Sequence, residues 1–282
     1  MFRSFLWGSR SATPESGIAE RHLHKPSQRG KSLTVALLLA FCATTRGDEE
    51  KKPEPPQIAV CVPLAVAPGT ATKIILRGWH LDTATEVRSS QTGVTIKVLS
   101  KGAAAIPGKQ DAKNIGDQQI EFEITTAASE AAQQKPIPLT VVTPAGESEP
   151  HSLLCGAKFS VVADNEPNDG FRNAQKIEFP QIVDGQIHAD GNVDVFTFEV
   201  DKPTAVTIEL KARSLGSGLD GILSLYDERG SIIANNDDHE NSADSKIEIS
   251  LTKGRYLVAL QDAHDHGGTA HPYRLIVRGS GD

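Results

Sequence analysis

The sequence lacks the motifs that usually mark a catalytic site. It contains no H-E-x-x-H, no G-x-S-x-G and no Walker-type loop. Serine, histidine and aspartate are all present, but their order and surroundings do not indicate a catalytic triad. We therefore expect a protein that is not an enzyme.

Large flexible and aromatic side chains are also scarce. The 282 residues include one methionine, two tryptophans and three tyrosines. Val, Ile, Thr and Gly instead recur in short runs, which favours β-structure. The length is sufficient for two domains with separate cores. The composition thus indicates an all-β protein.

No apolar run is long enough to span a bilayer comfortably. The apolar stretch Leu33–Ala43 has the length of a signal peptide, and small residues follow it. We predict that residues 1–47 form a signal or targeting segment, with cleavage between Cys42 and Gly47, although residues 1–30 make an unusually long start. The stretch ending at Cys42 also resembles a lipidation motif, but Phe41 stands where a small residue is expected. Either reading places the protein in the periplasm, at the cell surface or outside the cell.

Basic residues are fewer than acidic residues. The whole chain has a net charge of −7, and removing residues 1–47, with seven Lys/Arg and two Asp/Glu, leaves 22 basic and 34 acidic residues and a net charge of −12. Such a surface repels phosphate backbones and anionic lipids, so nucleic-acid binding is not expected. Residues 48–57 are charged and proline-rich, and we interpret them as a linker.

Residues 58–160 are predicted to form the first domain. Short alternating strands separated by turn residues indicate an antiparallel sandwich, with a loop over 103–117 and one or two helical turns over 127–134; the predicted strands are Thr72–Leu76, Gly93–Leu99, Gln119–Thr125 and Pro138–Thr143. The segments Val66–Gly69, Ile74–Leu81, Ala84–Val87 and Thr143–Ser148 resemble an immunoglobulin-like module of the IPT/TIG kind. The resemblance implies a strand-to-turn corner at Gly78 and Trp79.

Only two cysteines, Cys61 and Cys155, remain after the predicted cleavage. They lie near the two ends of the first domain, where the opening and closing strands of a sandwich can be neighbours. In an exported protein we predict a disulfide between them. Closing a loop of about 95 residues would stabilise by about 4–5 kcal/mol in the chain-entropy model. The alternative is two buried, unreactive thiols.

Residues 161–282 are predicted to form a second β-domain. Its strands alternate cleanly between apolar and polar residues; the predicted strands are Val195–Val200, Ala205–Lys211, Leu219–Asp227, Lys246–Leu251, Arg255–Leu260 and Tyr273–Val277. Lys246–Leu251 and Arg255–Leu260 are predicted to form a hairpin around residues 252–254.

Two oxygen-rich clusters bracket the start of this domain. The first covers Asp164–Asp169 and the second covers Asp190–Asp194, directly before a strand. Calcium requires six to eight oxygens, and extended segments with ligands at alternate positions can direct several to one ion. We hypothesise that the two clusters bind one Ca²⁺. The same residue types also occur in ordinary solvated turns, which is the alternative.

The ordered motifs NEPND, VDGQI, NVDVFTFEV, LDGILSLYDERG and GRYLVAL resemble a bacterial pre-peptidase C-terminal domain over roughly residues 161–278. This family is similar to the collagen-binding domains of clostridial collagenases. The resemblance implies a jelly-roll-like β-sandwich and a Ca²⁺ site between the acidic linker and the turn that opens a core strand. The implied ligands are Asp164, Glu166, Asn168, Asn192 and Asp194. Asn192 stands where an acidic residue is usual, and Asp169 and Asp190 are spare carboxylates that could compensate.

Two further polar clusters have alternative interpretations. The segment Asn235–Glu240, which includes Asp237 and Asp238, could bind a second calcium together with Asp220 and Asp244, or Asp238 and Asp244 could brace adjacent strands by accepting backbone hydrogen bonds. The histidines His264, His266 and His271 could bind a transition metal or could be solvated turn residues.

These observations predict an exported, non-catalytic, all-β protein: an immunoglobulin-like sandwich followed by a jelly-roll-like sandwich stabilised by Ca²⁺. Its expected partner is an extracellular polysaccharide or an envelope protein, with no nucleic acid and no transmembrane segment in the mature chain. The alternative is an accessory part of a secreted peptidase. Collagen is a poor candidate ligand, because the late strand offers Leu257, Ala259 and Gln261 rather than exposed aromatic residues.

Overall fold

The structure is a computed structural model that describes residues 52–128 and 135–282. The predicted targeting segment, Cys42 and nearly all of the predicted helical turn at 127–134 lie outside these residues. Residues 51–282 belong to one compact unit. In the described residues, no helix is long and apolar enough to cross a membrane.

Nearly all regular secondary structure in the first half of the described chain is β-strand. Its elements are β1 (Gln57–Val62), β2 (Ala65–Val66), β3 (Thr72–Trp79), β4 (Glu86–Ser89), β5 (Val94–Ala103), the helix α1 (Ala112–Ile115), β6 (Gln118–Thr126), β7 (Ile137–Thr143), β8 (Gly146–Glu147) and β9 (His151–Cys155). The strands form one sheet in the order β1-β3-β6-β5 and a second in the order β2-β9-β7-β4, with β8 paired to β7.

The second half also consists of two β-sheets, each with five strands. Its elements are β10 (Val161–Ala163), β11 (Gln175–Lys176), β12 (Gln181–Gln186), β13 (Val193–Val200), β14 (Thr204–Lys211), a 3₁₀ turn (Arg213–Leu215), β15 (Gly221–Tyr226), β16 (Ile232–Asn236), β17 (Lys246–Leu251), β18 (Gly254–Asp262) and β19 (Pro272–Gly279). One sheet has the order β10-β12-β19-β14-β17 and the other has the order β11-β13-β18-β15-β16.

Each pair of sheets encloses its own apolar core. In the first half, Ile74 and Phe122 of one sheet and Leu139 of the other belong to the same buried cluster. In the second half, Phe196 of one sheet and Leu275 of the other do the same. The predicted all-β sandwich architecture is therefore confirmed. The core forms because the apolar face of each alternating strand points between the sheets.

The predicted strands of both halves are present with shifts of a few residues at their ends. Within β14, Val206, Ile208 and Leu210 are fully buried, as their spacing predicts. The predicted corner also lies at the end of β3, where the indole Nε1 of half-buried Trp79 donates a hydrogen bond to the carbonyl of Ala112 at 2.9 Å. The accepting residue begins α1, which interrupts the predicted 103–117 loop.

The predicted hairpin around residues 252–254 is wrong. β17 pairs with β14, whereas β18 pairs with β13 and β15 in the opposite sheet. The short connection therefore carries the chain across the sandwich instead of folding it back within one sheet. Strand periodicity does not distinguish these two paths, because both leave the same residues facing the core.

The predicted disulfide between Cys61 and Cys155 is also wrong, since both cysteines are free and buried. Cys61 lies on β1 in one sheet and Cys155 lies on β9 in the other, and each thiol packs into the common apolar core. The Cys155 sulfur is 3.9 Å from Thr126 Oγ1. Burial raises the pKa of the Cys61 thiol to about 12, which makes it unreactive.

A buried arginine connects the two sandwiches. Arg77 on β3 is 1% exposed, and its guanidinium donates hydrogen bonds to the carbonyls of Ala105, Ile115 and Gly116 at 3.0–3.2 Å. The fourth bond reaches Thr269 Oγ1 of the second sandwich at 2.6 Å. A buried charge is tolerated only when its donors are satisfied, so Arg77 organises the 103–117 loop and joins it to the second half.

We predict that Arg77→Met lowers the free energy of unfolding by about 2–4 kcal/mol, because three carbonyls and one hydroxyl lose their donor. Chemical denaturation measures this loss. Arg88→Met is the matched control: Arg88 forms an exposed ion pair with Glu147 at 2.6 Å, and its loss should cost less than about 1 kcal/mol. Equal losses in the two variants would contradict the role assigned to Arg77.

Candidate metal centre

The candidate site begins with an acidic residue on the core side of a strand. Asp194 is the second residue of β13, and it shares a face with Phe196 and Phe198 because side chains alternate along a strand. That face points into the sandwich, so Asp194 is fully buried at the end of the apolar core. Its Oδ2 accepts a hydrogen bond from the Tyr273 hydroxyl of the opposite sheet at 2.6 Å.

The acidic linker, Asp164–Asp169, is folded against this end of β13. β10 pairs in parallel with β12, and the Asp164 N–H continues that pairing by donating to the carbonyl of Asp184 at 2.9 Å. Four residues later the Asn168 carbonyl accepts a hydrogen bond from Val195 N–H at 3.0 Å. The linker is thus anchored at both ends, and the side chains of Asp164 and Asn168 are held beside Asp194.

A glycine makes this approach possible. Gly185 on β12 pairs with Tyr273, and a Cβ atom built at Gly185 would lie 2.4 Å from the Tyr273 ring and 2.7 Å from Asp164 Cβ. Any larger residue would therefore displace both groups. The absence of a side chain at this position is a requirement of the site.

Three buried oxygens in this cluster have no hydrogen-bond partner: Asp164 Oδ2, Asn168 Oδ1 and Asp194 Oδ1. The remaining polar atoms of the same side chains are paired. Asn168 Nδ2 donates to Asp164 Oδ1 at 2.7 Å, and Tyr273 occupies Asp194 Oδ2. Buried polar atoms are normally satisfied, so these three acceptors together form a set that a cation or a donor group could satisfy. This donor set of carboxylate and amide oxygens suits a hard cation.

The charges at the cluster are unfavourable without a cation. Burial, with additional repulsion from Asp164, Glu166 and Asp169, raises the pKa of Asp194 to about 8. The pKa of Asp164 is raised by burial and by Glu166. A bound cation would reverse both effects, since it favours the ionised form of every carboxylate near it.

Glu166 lies at the open side of the cluster next to a histidine that the sequence analysis missed. The Nδ1 atom of His188 is 3.1 Å from Glu166 Oε1 and 3.8 Å from Asp164 Oδ2. In the part of the chain that the structure describes, these three residues are the one group of His, Cys, Asp or Glu side chains whose donor atoms all lie within 4.8 Å. The sequence signal that could have found it is the position of His188 two residues before the second oxygen-rich cluster, just after β12.

Asn192 joins the cluster indirectly. Its Oδ1 accepts a hydrogen bond from His188 N–H at 3.1 Å, and its Nδ2 donates to Asp169 Oδ1 at 2.7 Å. The spare carboxylates therefore have different surroundings. Asp169 remains beside the cluster through Asn192, whereas Asp190 Oδ1 accepts from Gly267 N–H at 3.2 Å and faces another loop.

Among the described residues, the acidic side chains of Asn235–Glu240 do not form a group of three donor atoms within 4.8 Å of one another. Asp244 instead accepts backbone hydrogen bonds from Ala212 and Arg213 at 3.1 and 2.6 Å, as predicted for a bracing residue. Asp238 contributes its main-chain carbonyl, which accepts a hydrogen bond from Asn236 Nδ2 at 2.7 Å. The prediction that acidic residues here brace adjacent strands is therefore confirmed for Asp244.

The three late histidines share a loop without converging on one point. The ring centroids of His264 and His266 are 6.0 Å apart, and those of His266 and His271 are 6.4 Å apart. Buried Asp262 holds the loop by accepting from the N–H groups of His264 and His266, both at 2.9 Å. Burial lowers the pKa of His271 to about 4, which keeps it neutral. Metal binding at this loop stays a prediction.

A separate groove lies on the outer face of the second sandwich. It has a cavity volume of about 290 Å³. Phe171 is 45% exposed at its edge and packs edge-on against Tyr226, with ring centroids 4.7 Å apart. Three arginines, Arg172, Arg229 and Arg255, line the same groove. Glu228 also lines the groove, so three basic side chains and one acidic side chain surround it on an otherwise acidic protein.

Comparison with known proteins finds one family model that matches part of this half. Residues 192–262 match the family model of the bacterial pre-peptidase C-terminal domain, from the turn before β13 to the end of β18. The match includes Asp194 and ends before Tyr273, and Asp164–Asn168 precede it. No curated protein matches the chain.

Solved structures show weaker similarities. The pre-peptidase C-terminal domain of a Bacillus anthracis collagenase is 19% identical with a TM-score of 0.32, covering 40% of this chain and 98% of that domain. The periplasmic inhibitor of g-type lysozyme from Aeromonas hydrophila, PliG, is 12% identical with a TM-score of 0.28, covering 44% of this chain and 98% of that protein. SGBP-B of a Bacteroides ovatus mixed-linkage glucan utilization locus is 9% identical with a TM-score of 0.25, and the match covers 79% of this chain and 75% of that protein.

At these identities and TM-scores, none of the three structures identifies a ligand or an activity for this chain. The first half, with its two facing sheets, is consistent with the immunoglobulin-like module that the sequence predicts. The family match confirms the predicted recognition of the second half. Residues 192–262 are thus similar to the bacterial pre-peptidase C-terminal domain.

Proposed function

We propose that this chain is an exported, non-catalytic binding protein whose second sandwich is stabilised by Ca²⁺. The observation that carries the cation is the group of three buried, unpartnered oxygens on Asp164, Asn168 and Asp194. Glu166 completes the acidic set at the open side. A bound ion would join the linker, β13 and, through Tyr273, the opposite sheet.

The affinity expected for such an ion is modest. Extracellular calcium modules have dissociation constants of about 10⁻⁴–10⁻³ M, which suffices where calcium is millimolar. The ion would therefore act as a structural staple that forms after export. Its effect on stability follows from mass action, because it binds the folded state only.

The ligand surface that we propose is the groove of Phe171 and the three arginines. An exposed aromatic ring can stack on a sugar or an apolar side chain, and arginines favour carboxylate partners by bidentate hydrogen bonds. These features support an extracellular polysaccharide with acidic groups, or an acidic envelope protein. The second candidate function, an accessory part of a secreted peptidase, is favoured by the family match of residues 192–262.

We predict that Ca²⁺ raises the melting temperature of the wild-type protein and not that of Asp194→Asn. For a dissociation constant of about 10⁻⁴ M, 10 mM Ca²⁺ stabilises by about 2.7 kcal/mol, or several degrees in Tm. Without calcium at pH 8, Asp194→Asn should be at least as stable as the wild type, because it removes a buried carboxylate that is partly ionised at this pH in an acidic environment.

The matched control is Asp237→Asn, which changes an exposed aspartate of the other acidic cluster. It should respond to Ca²⁺ like the wild type. A wild-type melting temperature that does not change with calcium would refute the proposed ion, and loss of the response in Asp237→Asn alone would move the site to the other cluster.

We predict opposite pH responses with and without calcium. The folded-state pKa of Asp194, about 8, lies above its ordinary value of 3.8, so the metal-free fold is stabilised by the bound proton at low pH. That contribution is complete below about pH 4 and is lost as the pH rises through 8. Calcium competes with the proton, so its stabilisation should grow over the same range.

Thermal unfolding in metal-depleted and in calcium-containing buffers at pH 5.5 and pH 8 measures both trends. The difference in Tm between the two buffers should be larger at pH 8. A difference that is equal at both pH values, or larger at pH 5.5, would contradict the assignment of Asp194 as a ligand.

We predict that the wild-type protein is retarded in affinity gels that contain hyaluronate and not in gels that contain dextran. The double variant Arg229→Gln/Arg255→Gln should lose most of this retardation, and added salt should weaken it. Arg88→Gln in the first sandwich is the control and should behave like the wild type. Equal mobility in all gels would exclude an acidic polysaccharide, and capture of a secreted peptidase by the same groove would favour the second candidate.

A further inference from the structure

His188 differs in chemistry from the other side chains at the candidate metal centre. Its imidazole nitrogen faces two carboxylates, with Nδ1 at 3.1 Å from Glu166 Oε1 and 3.8 Å from Asp164 Oδ2. Calcium is bound almost entirely through oxygen, so an imidazole adds little to a calcium site. A neutral imidazole nitrogen is instead a preferred ligand of zinc and of other first-row transition metals.

The spacing of the donor atoms fits a small ion. Two donors that bind one ion at 2.0–2.2 Å lie about 3–3.5 Å from each other. The contact between His188 and Glu166 is within this range, and the contact to Asp164 requires a shift of a few tenths of an ångström. Asp164 Oδ2, the nearer oxygen of that carboxylate, is one of the buried atoms without a partner.

The surrounding structure positions the histidine. Its main-chain N–H donates to Asn192 Oδ1 at 3.1 Å, and Asn192 is in turn held by Asp169 at 2.7 Å. The side chain of Asn192 thus fixes the backbone of the turn that carries His188. This arrangement holds the backbone of the turn while the half-exposed ring keeps the freedom to rotate onto an ion.

The site also has an entry path. A cavity of about 190 Å³ lies between the two sandwiches, with Asp164, His188 and Tyr273 on one side and the first-half segment 62–64 on the other. This volume holds a hydrated ion and little more. The first sandwich thus shelters the ion without closing the site.

We propose that Asp164, Glu166 and His188 allow this centre to bind a divalent transition metal of the Zn²⁺ class in competition with Ca²⁺. This inference rests on the cation site proposed above and concerns its selectivity. The two ions share the carboxylates, and His188 contributes to binding of Zn²⁺ only. The alternative is a purely structural ion pair between protonated His188 and Glu166.

The test is a titration of the full chain, freed of metal by a chelator and dialysis, with Zn²⁺ and separately with Ca²⁺. His188→Gln replaces the imidazole by an amide of similar reach. We expect it to weaken Zn²⁺ binding by about tenfold or more, while the Ca²⁺-induced rise in Tm stays within experimental error of the wild type. At a Zn²⁺ concentration that fills the wild-type site and not that of His188→Gln, excess Ca²⁺ should release the bound Zn²⁺ from the wild type.

The matched control is His239→Gln, since His239 is another loop histidine beside a glutamate, 3.9 Å from Glu240 Oε1. It should bind Zn²⁺ like the wild type. Copper provides a second readout: the electron paramagnetic resonance spectrum of Cu²⁺ bound in a calcium-displaceable manner should show imidazole nitrogen coupling that His188→Gln loses.

The outcomes separate this inference from the proposed function. If His188→Gln binds Zn²⁺ as tightly as the wild type, or if Ca²⁺ binds and Zn²⁺ does not compete with it, the role of His188 is refuted and the calcium site stands. If the wild type responds to neither ion, both proposals are refuted.

Discussion

Negative charge buried at the end of an apolar core is the constraint on which the second sandwich depends. Asp194 cannot face solvent, because strand parity places it on the same face as Phe196 and Phe198. The Tyr273 hydroxyl of the opposite sheet donates a hydrogen bond to Asp194, which offsets part of the cost of burying this carboxylate. The rest requires a proton or a cation, since neighbouring acidic groups raise its pKa further.

This constraint connects elements that are distant in the chain. The acidic linker is held to β12 by parallel pairing and to β13 through Asn168, so the junction between the halves is part of the site. An ion there would tie the linker to both sheets of the second sandwich. Such a staple suits a domain that works outside the cell, where calcium is available and the chain must remain folded without chaperones.

The two halves are joined by polar contacts as well as by the linker. Arg77 sends one hydrogen bond to Thr269, and Gln110 Nε2 donates to the carbonyl of Gly267 at 2.6 Å. Arg274 likewise donates to the carbonyl of Gly156 at 3.2 Å while it pairs with Asp184. The relative positions of the sandwiches are therefore specified by directional bonds, and the cavity beside His188 is a consequence of that packing.

The sequence by itself determined the features that depend on near neighbours: the strands, through their two-residue period, and the oxygen-rich turns. Together with the family resemblance, these turns brought Asp164, Glu166, Asn168, Asn192 and Asp194 into one hypothesis. Only the tertiary structure decided which sheet each strand joined, which is why the predicted hairpin at 252–254 was wrong and the predicted disulfide did not form. It also brought His188 to Glu166. Each of these depends on contacts between distant segments, and a local pattern remains the same whichever distant partner the chain selects.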